Sequence, residues 1–195
     1  MTGVIRNVRA GVLVLPGGKP RSDAPSSPRQ LANVRVDLLA RSLRRRLGAD
    51  VEVRRVQYRV RGWNPGSLDA LRDARAALTE LTAAIGAAPV VLVGHSMGGR
   101  VAAHLAATED RVVAVAALAP WWPENDGDLI PPTCRLLTMH GTADTWTDPV
   151  ASRVQTLRAA ARGVDADWVE FPDAGHFLLR NYARWHRLTA EFASP

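Results

Sequence analysis

Short apolar runs of strand length alternate with helix-period stretches along the whole chain, and this alternation limits the fold more than any other feature. The runs are Gly11 to Leu15, Val51 to Tyr58, Val90 to Val93, Val112 to Leu118, Arg135 to Met139 and Trp168 to Phe171. Between the first two, Ser27 is placed to cap a helix, Pro28 suits its first turn and Gln30 completes a capping box. Leu31, Val34, Leu38 and Leu39 give that helix an apolar face until Gly48. Ser67 is placed to cap a second helix, which carries Leu68, Leu71, Leu78, Leu81 and Ile85 on one side and stops at Gly86. Further helical stretches run from Arg100 to Thr108, Val150 to Ala161 and Phe177 to Phe192. Continuous apolar strands separated by helices predict a parallel sheet buried on both faces. With right-handed crossovers this is a doubly wound, mainly parallel six-stranded α/β sheet with helices on both faces. A chain of 195 residues holds one such domain, expected to span 1–195.

Composition narrows the function classes. Hydrophobic residues make up 47% and charged residues 23%, the balance of a soluble globular protein. No apolar run is long enough to span a bilayer, and the N-terminal stretch lacks a secretory pattern, so a cytoplasmic location without membrane insertion is expected. Cys134 is the single cysteine; it reads as a small buried apolar residue, and no spacing of His or acidic residues suggests a metal site. The formal net charge of +6 invites a nucleic-acid reading. Against it, Lys19 is the only lysine and the arginines are interleaved with acids. Their one dense cluster, Arg41, Arg44, Arg45 and Arg46, suits a solvated helix face. The same positive field would attract an anionic substrate.

The third apolar run leads straight into Gly94-His95-Ser96-Met97-Gly98-Gly99 and then into a helix. A serine at such a strand–turn–helix sits on a sharp, strained turn, and glycines at 94 and 98 remove the Cβ atoms that would clash where the chain doubles back. A serine hydroxyl is a weak nucleophile and needs a base, which in turn needs an orienting acid. In open parallel sheets these groups meet at the carboxyl ends of strands. After the fifth run stands Met139-His140-Gly141-Thr142-Ala143-Asp144, and after the sixth Phe171-Pro172-Asp173-Ala174-Gly175-His176-Phe177.

The order Ser96, Asp144, His176, with the motifs G-H-S-M-G-G, H-G-x-x-D and G-H, resembles that of α/β-hydrolases, and the chain is similar to a small member of that family over nearly its full length. The resemblance implies Ser96 as nucleophile, His176 as base and Asp144 as the acid that orients it. It implies Met97 N–H as one oxyanion donor and a second from the loop after the first strand. That loop reads Pro16-Gly17-Gly18 where the family often has His-Gly, which points to Gly18 N–H with Lys19 in reserve. Asp148 and Asp126 compete with Asp144, and the H-G-x-x-D match favours Asp144. His186 competes with His176 but falls inside the last helix. His95 is expected to face away from the nucleophile, His140 to buttress its loop, His104 to pack, and Asp173 to form a turn.

Trp63, Trp121, Trp122 and Trp146 fall on loops at the same edge, and Trp121, Trp122 and Trp146 are the candidates to line a substrate pocket. The segment from Trp121 to Thr133, where this family inserts lids, is too short and too rich in Pro, Gly and Asp for cap helices. The expectation is a serine hydrolase cleaving a small-molecule carboxylic ester or thioester, requiring no cofactor or metal. A peptide or amide hydrolase is the alternative within the fold, and a non-catalytic binding module the alternative outside enzymes.

Overall fold

The computed structural model describes residues 8–177 and 179–195. Six strands, β1 (Ala10–Leu15), β2 (Val51–Arg55), β3 (Val90–His95), β4 (Val112–Leu118), β5 (Arg135–Gly141) and β6 (Ala166–Phe171), form one sheet in the order β2-β1-β3-β4-β5-β6. Every pairing is parallel. The helices are α1 (Leu31–Leu47), α2 (Asp69–Ile85), α3 (Met97–Ala106), α4 (Pro149–Ala161) and α5 (Tyr182–Ala193), with a 3-10 turn at Asp126–Leu129.

Side chains alternate across the sheet, and each face has its own core. Val12, Val14, Val91, Val93, Ala116 and Met139 pack beneath α1 and α5. Leu13, Leu15, Leu92, Val115, Ala117 and Leu136 pack on the other face, against α2, α3 and α4. Cys134 is buried there too. The chain passes from β1 outward to β2 and returns to β3 on the other side of β1, so the strand order reverses at the β1–β3 boundary, where open α/β sheets bind ligands.

The boundaries differ from the sequence pattern where distant contacts claim the backbone. In α1 the buried stripe is Val36, Leu39, Ala40 and Leu43, a helical repeat offset from the expected one, while Leu31, Val34 and Leu38 face outward. Neither expected serine caps its helix. Ser27 accepts from Arg29 N–H in the preceding turn, and Gln30 occupies the N-cap position without a side-chain bond. Ser67 hydrogen-bonds to the Asp69 carboxylate, and a left-handed Leu68 starts α2. Instead Asp148 caps α4, accepting from Val150 and Ala151 N–H at 2.8 and 3.0 Å. β2 ends at Arg55 because the chain then leaves the sheet to bridge the loop after β1, Gly62 to Lys19 and Val60 to Pro25. The closing helix begins at Tyr182, not Phe177: the His176 carbonyl and ring are engaged by other loops, and a left-handed Asn181 precedes the first helical turn.

Under α5, Trp185 stacks on Phe171 at the end of β6, ring centroids 4.0 Å apart. Trp185 is fully buried, and its indole N–H has no hydrogen-bond partner among the described residues. Trp185→Ala is therefore expected to destabilise the fold by about 3–5 kcal/mol, and Trp185→Phe, which keeps the stack and removes the orphaned donor, by less than about 1.5 kcal/mol. Urea unfolding followed by far-UV circular dichroism measures both.

Candidate active site

Register brings the site together. Leu15 is level with Gly94, and Leu118 with His95, so the loops after β1, β3 and β4 leave the sheet side by side. Met139 is level with Leu118 and Phe171 with Gly141, which adds the loops after β5 and β6 to the same edge. Ser96 sits on the turn between β3 and α3 with φ 56° and ψ −119°, in a region L-residues avoid. The two motif glycines are required there by close approach. A Cβ on Gly94 would fall on the Gly98 peptide, and one on Gly98 would fall on the Leu15 carbonyl.

Ser96, His176 and Asp144 form one hydrogen-bonded chain. His176 Nε2 lies 3.0 Å from Ser96 Oγ, and His176 Nδ1 lies 2.8 Å from Asp144 Oδ2. The carboxylate fixes the tautomer: Nδ1–H donates to it, and Nε2 accepts from the serine hydroxyl. Ser96 is 8% exposed and lies on a cavity of about 340 Å³.

Asp144 is held by more than His176. Its Oδ1 accepts from the Trp146 and Thr147 N–H groups at 2.8 and 3.0 Å. Its Oδ2 also accepts from the Thr147 hydroxyl at 2.8 Å and from His140 Nε2–H at 3.0 Å. His140 Nδ1 in turn accepts from Ser152 Oγ at 2.7 Å, so His140 steadies this loop as expected. Burial alone would raise the Asp144 pKa; the hydrogen bonds from His140, His176 and the two backbone N–H groups outweigh it and hold the carboxyl well below the usual carboxylate range. The Asp-x-x-Thr spacing from Asp144 to Thr147 is a recognisable Asx-type turn, a signal the sequence reading passed over.

The competing residues lie elsewhere. Asp126 is buried in an ion pair with Arg100 at 2.7 Å and a bond to His104 at 3.0 Å. Asp148 caps α4, Asp173 lies in an exposed turn, and His186 is on α5. Met97 opens α3, where the first N–H groups of a helix have no intrahelical acceptor. Gly18 lies against Met97: a Cβ on Gly18 would meet the Met97 sulfur at 2.6 Å. Lys19 N–H donates to the Arg61 carbonyl at 2.8 Å, which removes Lys19 as a free donor. Gly17 also approaches the serine; a Cβ there would lie 3.2 Å from Ser96 Cβ.

The tryptophans divide. Trp146 is 71% exposed, borders the Ser96 cavity and stacks on the His176 ring, centroids 5.9 Å apart and 6° between planes. Trp121 and Trp122 border a neighbouring cavity on the far side of Trp146. Trp122 is turned into the core, its indole N–H donating to the Gly99 carbonyl at 3.1 Å. Trp63 is buried against His104. Arg35, Arg61, Tyr58 and Phe177 complete much of the Ser96 cavity wall, a set brought together from distant parts of the chain. Among the described residues no cluster of His, Cys, Asp and Glu could hold a metal ion, and no helix is long and apolar enough to cross a membrane.

A fold with a serine on the β3–α3 turn and an Asp–His pair on the next loops defines a class, and comparison with known proteins names it. Residues 12–133 match the model of the alpha/beta hydrolase family, and the chain belongs to that family. Among solved structures it is similar to an α/β serine hydrolase without a lid from Xanthomonas campestris, with 24% identity, a TM-score of 0.71, and coverage of 98% of this chain and 83% of that one. An α/β serine hydrolase homologue from Coxiella burnetii is 18% identical at a TM-score of 0.70, covering 97% and 86% of the two chains. Est1E from Butyrivibrio proteoclasticus is 14% identical at a TM-score of 0.69, covering 96% and 87%. No curated protein matches the chain.

His95, expected to face away from the nucleophile, borders the Ser96 cavity with its ring 4.9 Å from the His176 ring, and its Nε2–H donates to the His176 carbonyl at 2.9 Å, tying the two loops together. Burial, then the charges of His176 and Arg35, push its pKa down to about 3 despite the bond to His176. An unfolded histidine titrates near 6.5. From pH 6.5 to 3 the unfolded chain binds a proton here that the folded chain refuses, so stability falls with pH by up to about 1.4 kcal/mol per unit. His95→Gln removes this loss. Its stability deficit relative to wild type is expected to shrink between pH 7 and pH 4 in urea titrations; parallel stability curves would show that His95 is not held neutral.

Proposed function

We propose that this protein is a serine hydrolase that cleaves a carboxylic ester or thioester of a small molecule through an acyl-enzyme at Ser96. The observation that carries the reading is the 3.0 Å contact between His176 Nε2 and Ser96 Oγ, backed by the 2.8 Å bond from His176 Nδ1 to Asp144. As Oγ adds to the substrate carbonyl, its proton passes to Nε2. Asp144 holds the ring in the reactive tautomer and balances the imidazolium. The tetrahedral oxyanion would be met by Met97 N–H at the start of α3, where the helix dipole adds to the field, and by Gly18 N–H across the loop; one such donor is worth about 3 kcal/mol in the transition state. Collapse breaks the bond to the alcohol or thiol, which leaves with the Nε2 proton. Water then enters, gives a proton to Nε2, attacks the acyl carbon and releases the acid, and the proton returns to Oγ.

The exposed face of Trp146, stacked on His176, offers an apolar surface at the mouth of the cavity for an acyl or leaving group. The test is hydrolysis of p-nitrophenyl esters from acetate to palmitate, with labelling by a fluorophosphonate. Wild type is expected to turn over and to label. Ser96→Ala is expected to lose about a thousandfold or more in kcat and all labelling, and Asp144→Asn to lose about as much with Ser96 still present. Labelling of Ser96 without ester turnover would move the substrate to amides; no labelling would point to a binding module.

A further inference from the structure

The Ser96 cavity is electrically one-sided. Lys19, Arg35 and Arg61 all border it, and no aspartate or glutamate does. Among the described residues none of these three cations is within ion-pair distance of a carboxylate, whereas other arginines near them in the fold are paired: Arg55 and Arg41 with Asp37, Arg59 with Asp73, Arg100 with Asp126. Residues 1–7 and 178 contain no acid, so the whole complement of carboxylates has been located.

The three positions are built, not scattered. Arg35 projects from α1 and lays its guanidinium over the Phe177 ring, 4.1 Å from the centroid, next to the residue that carries the His176 ring. It is half-buried, and burial lowers its pKa from the ordinary arginine value, so the guanidinium is partly stripped of water with no counter-charge supplied. Its charge is felt at His95, beside the serine. Arg61 and Lys19 are joined by the Lys19 N–H bond to the Arg61 carbonyl and by the adjoining bridge from Lys19 to Gly62. Among the described residues the Arg61 side chain has no carboxylate partner; it faces the neutral Gln30 carboxamide, whose oxygen accepts from it with the amide turned over. The one carboxylate of the catalytic machinery, Asp144, lies beneath His176 with both oxygens occupied. A substrate therefore meets unneutralised positive charge on the α1 side of the cavity, where partial desolvation strengthens a charge-assisted bond.

We propose that Arg35, with Arg61 and Lys19, forms an anion subsite beside Ser96, and that the preferred substrates are esters or thioesters carrying a carboxylate away from the scissile bond. The inference rests on the serine-hydrolase reading for its chemistry, but the subsite itself can be tested by binding alone. Arg35 acts on selectivity and takes no part in bond making.

The experiment compares matched ester pairs. One pair puts the carboxylate on the acyl side, mono-4-nitrophenyl adipate against 4-nitrophenyl hexanoate; the other puts it on the leaving group, 4-hexanoyloxybenzoate against its methyl ester. In wild type, the ratio of kcat/KM for the anionic over the neutral member is expected to exceed one in at least one pair and to fall as salt rises from about 0.01 to 0.5 M. Arg35→Gln should lower that ratio about tenfold, mainly through KM, and Arg35→Lys should restore much of it, which a purely structural role over Phe177 would not do. Arg41→Gln, an exposed arginine paired with Asp37 on the outer face of α1, makes the same change in net charge and should leave the ratio as it is. Adipate binding measured by calorimetry gives a readout without turnover: binding to wild type that is weakened in Arg35→Gln supports the subsite even if neither ester is cleaved, in which case only the hydrolase reading falls. Neutral esters preferred in both pairs, with adipate binding absent or unchanged in Arg35→Gln, would overturn the subsite and leave the hydrolase reading standing.

Discussion

The approach of α3 to the end of β1 is the constraint on which the rest of the site depends. The Gly98 backbone lies against the Leu15 and Pro16 carbonyls, and Gly94 lies against the Gly98 peptide, at separations that leave no room for a Cβ. That contact forces the chain to reverse within one residue, which drives Ser96 to a positive φ outside the regions L-residues favour, at a cost on the order of 1–3 kcal/mol. The two cores that flank the sheet hold the strain in place. In return the serine is set at the head of α3, beside the loop after β1.

The second organising element is electrostatic. A buried carboxylate costs several kcal/mol to desolvate unless its oxygens are fully engaged. Asp144 meets this with donors from its own turn, from His140 at the end of β5 and from His176 on the loop after β6. The carboxylate thus ties the loops after β5 and β6 together while orienting the imidazole. His95 adds a second tie, from β3 to the His176 backbone. The histidine beside Ser96 is held by its ring and by its carbonyl, through two separate loops.

Much of this was legible from local pattern. Strand alternation, the Gly94–Gly98 turn and the short motifs around Ser96, Asp144 and His176 are each encoded within a few residues, so the sheet and the hydrogen-bonded chain follow from reading along the sequence. Departures occur where partners are far apart. Phe177 reads as the start of a helix because its apolar spacing continues into α5, yet its neighbour His176 is claimed by Ser96, Asp144 and His95. Ser27 and Ser67 have the chemistry of caps, but the loops around them are bound to each other across the sheet edge, and their hydroxyls turn to nearer partners. Trp122 and Trp146 share a loop-like context in sequence; only the fold puts one under Gly99 and the other over His176. Arg35 sits among α1 residues that read as one apolar face, and nothing local marks it as a wall of the Ser96 cavity.

The stack of Trp146 on His176 has an optical consequence. Among the described residues Trp63, Trp122 and Trp185 are buried, Trp121 and Trp168 are half-covered, and Trp146 alone is exposed. An exposed indole emits at longer wavelength than buried ones, and that of Trp146 is stacked on the imidazole that the proposed mechanism protonates. An imidazolium is an efficient quencher of a stacked indole, whereas the neutral ring is a poor one. The protein thus carries a built-in reporter whose brightness follows the proton on His176 and whose colour follows the water at the mouth of the cavity, with no label attached.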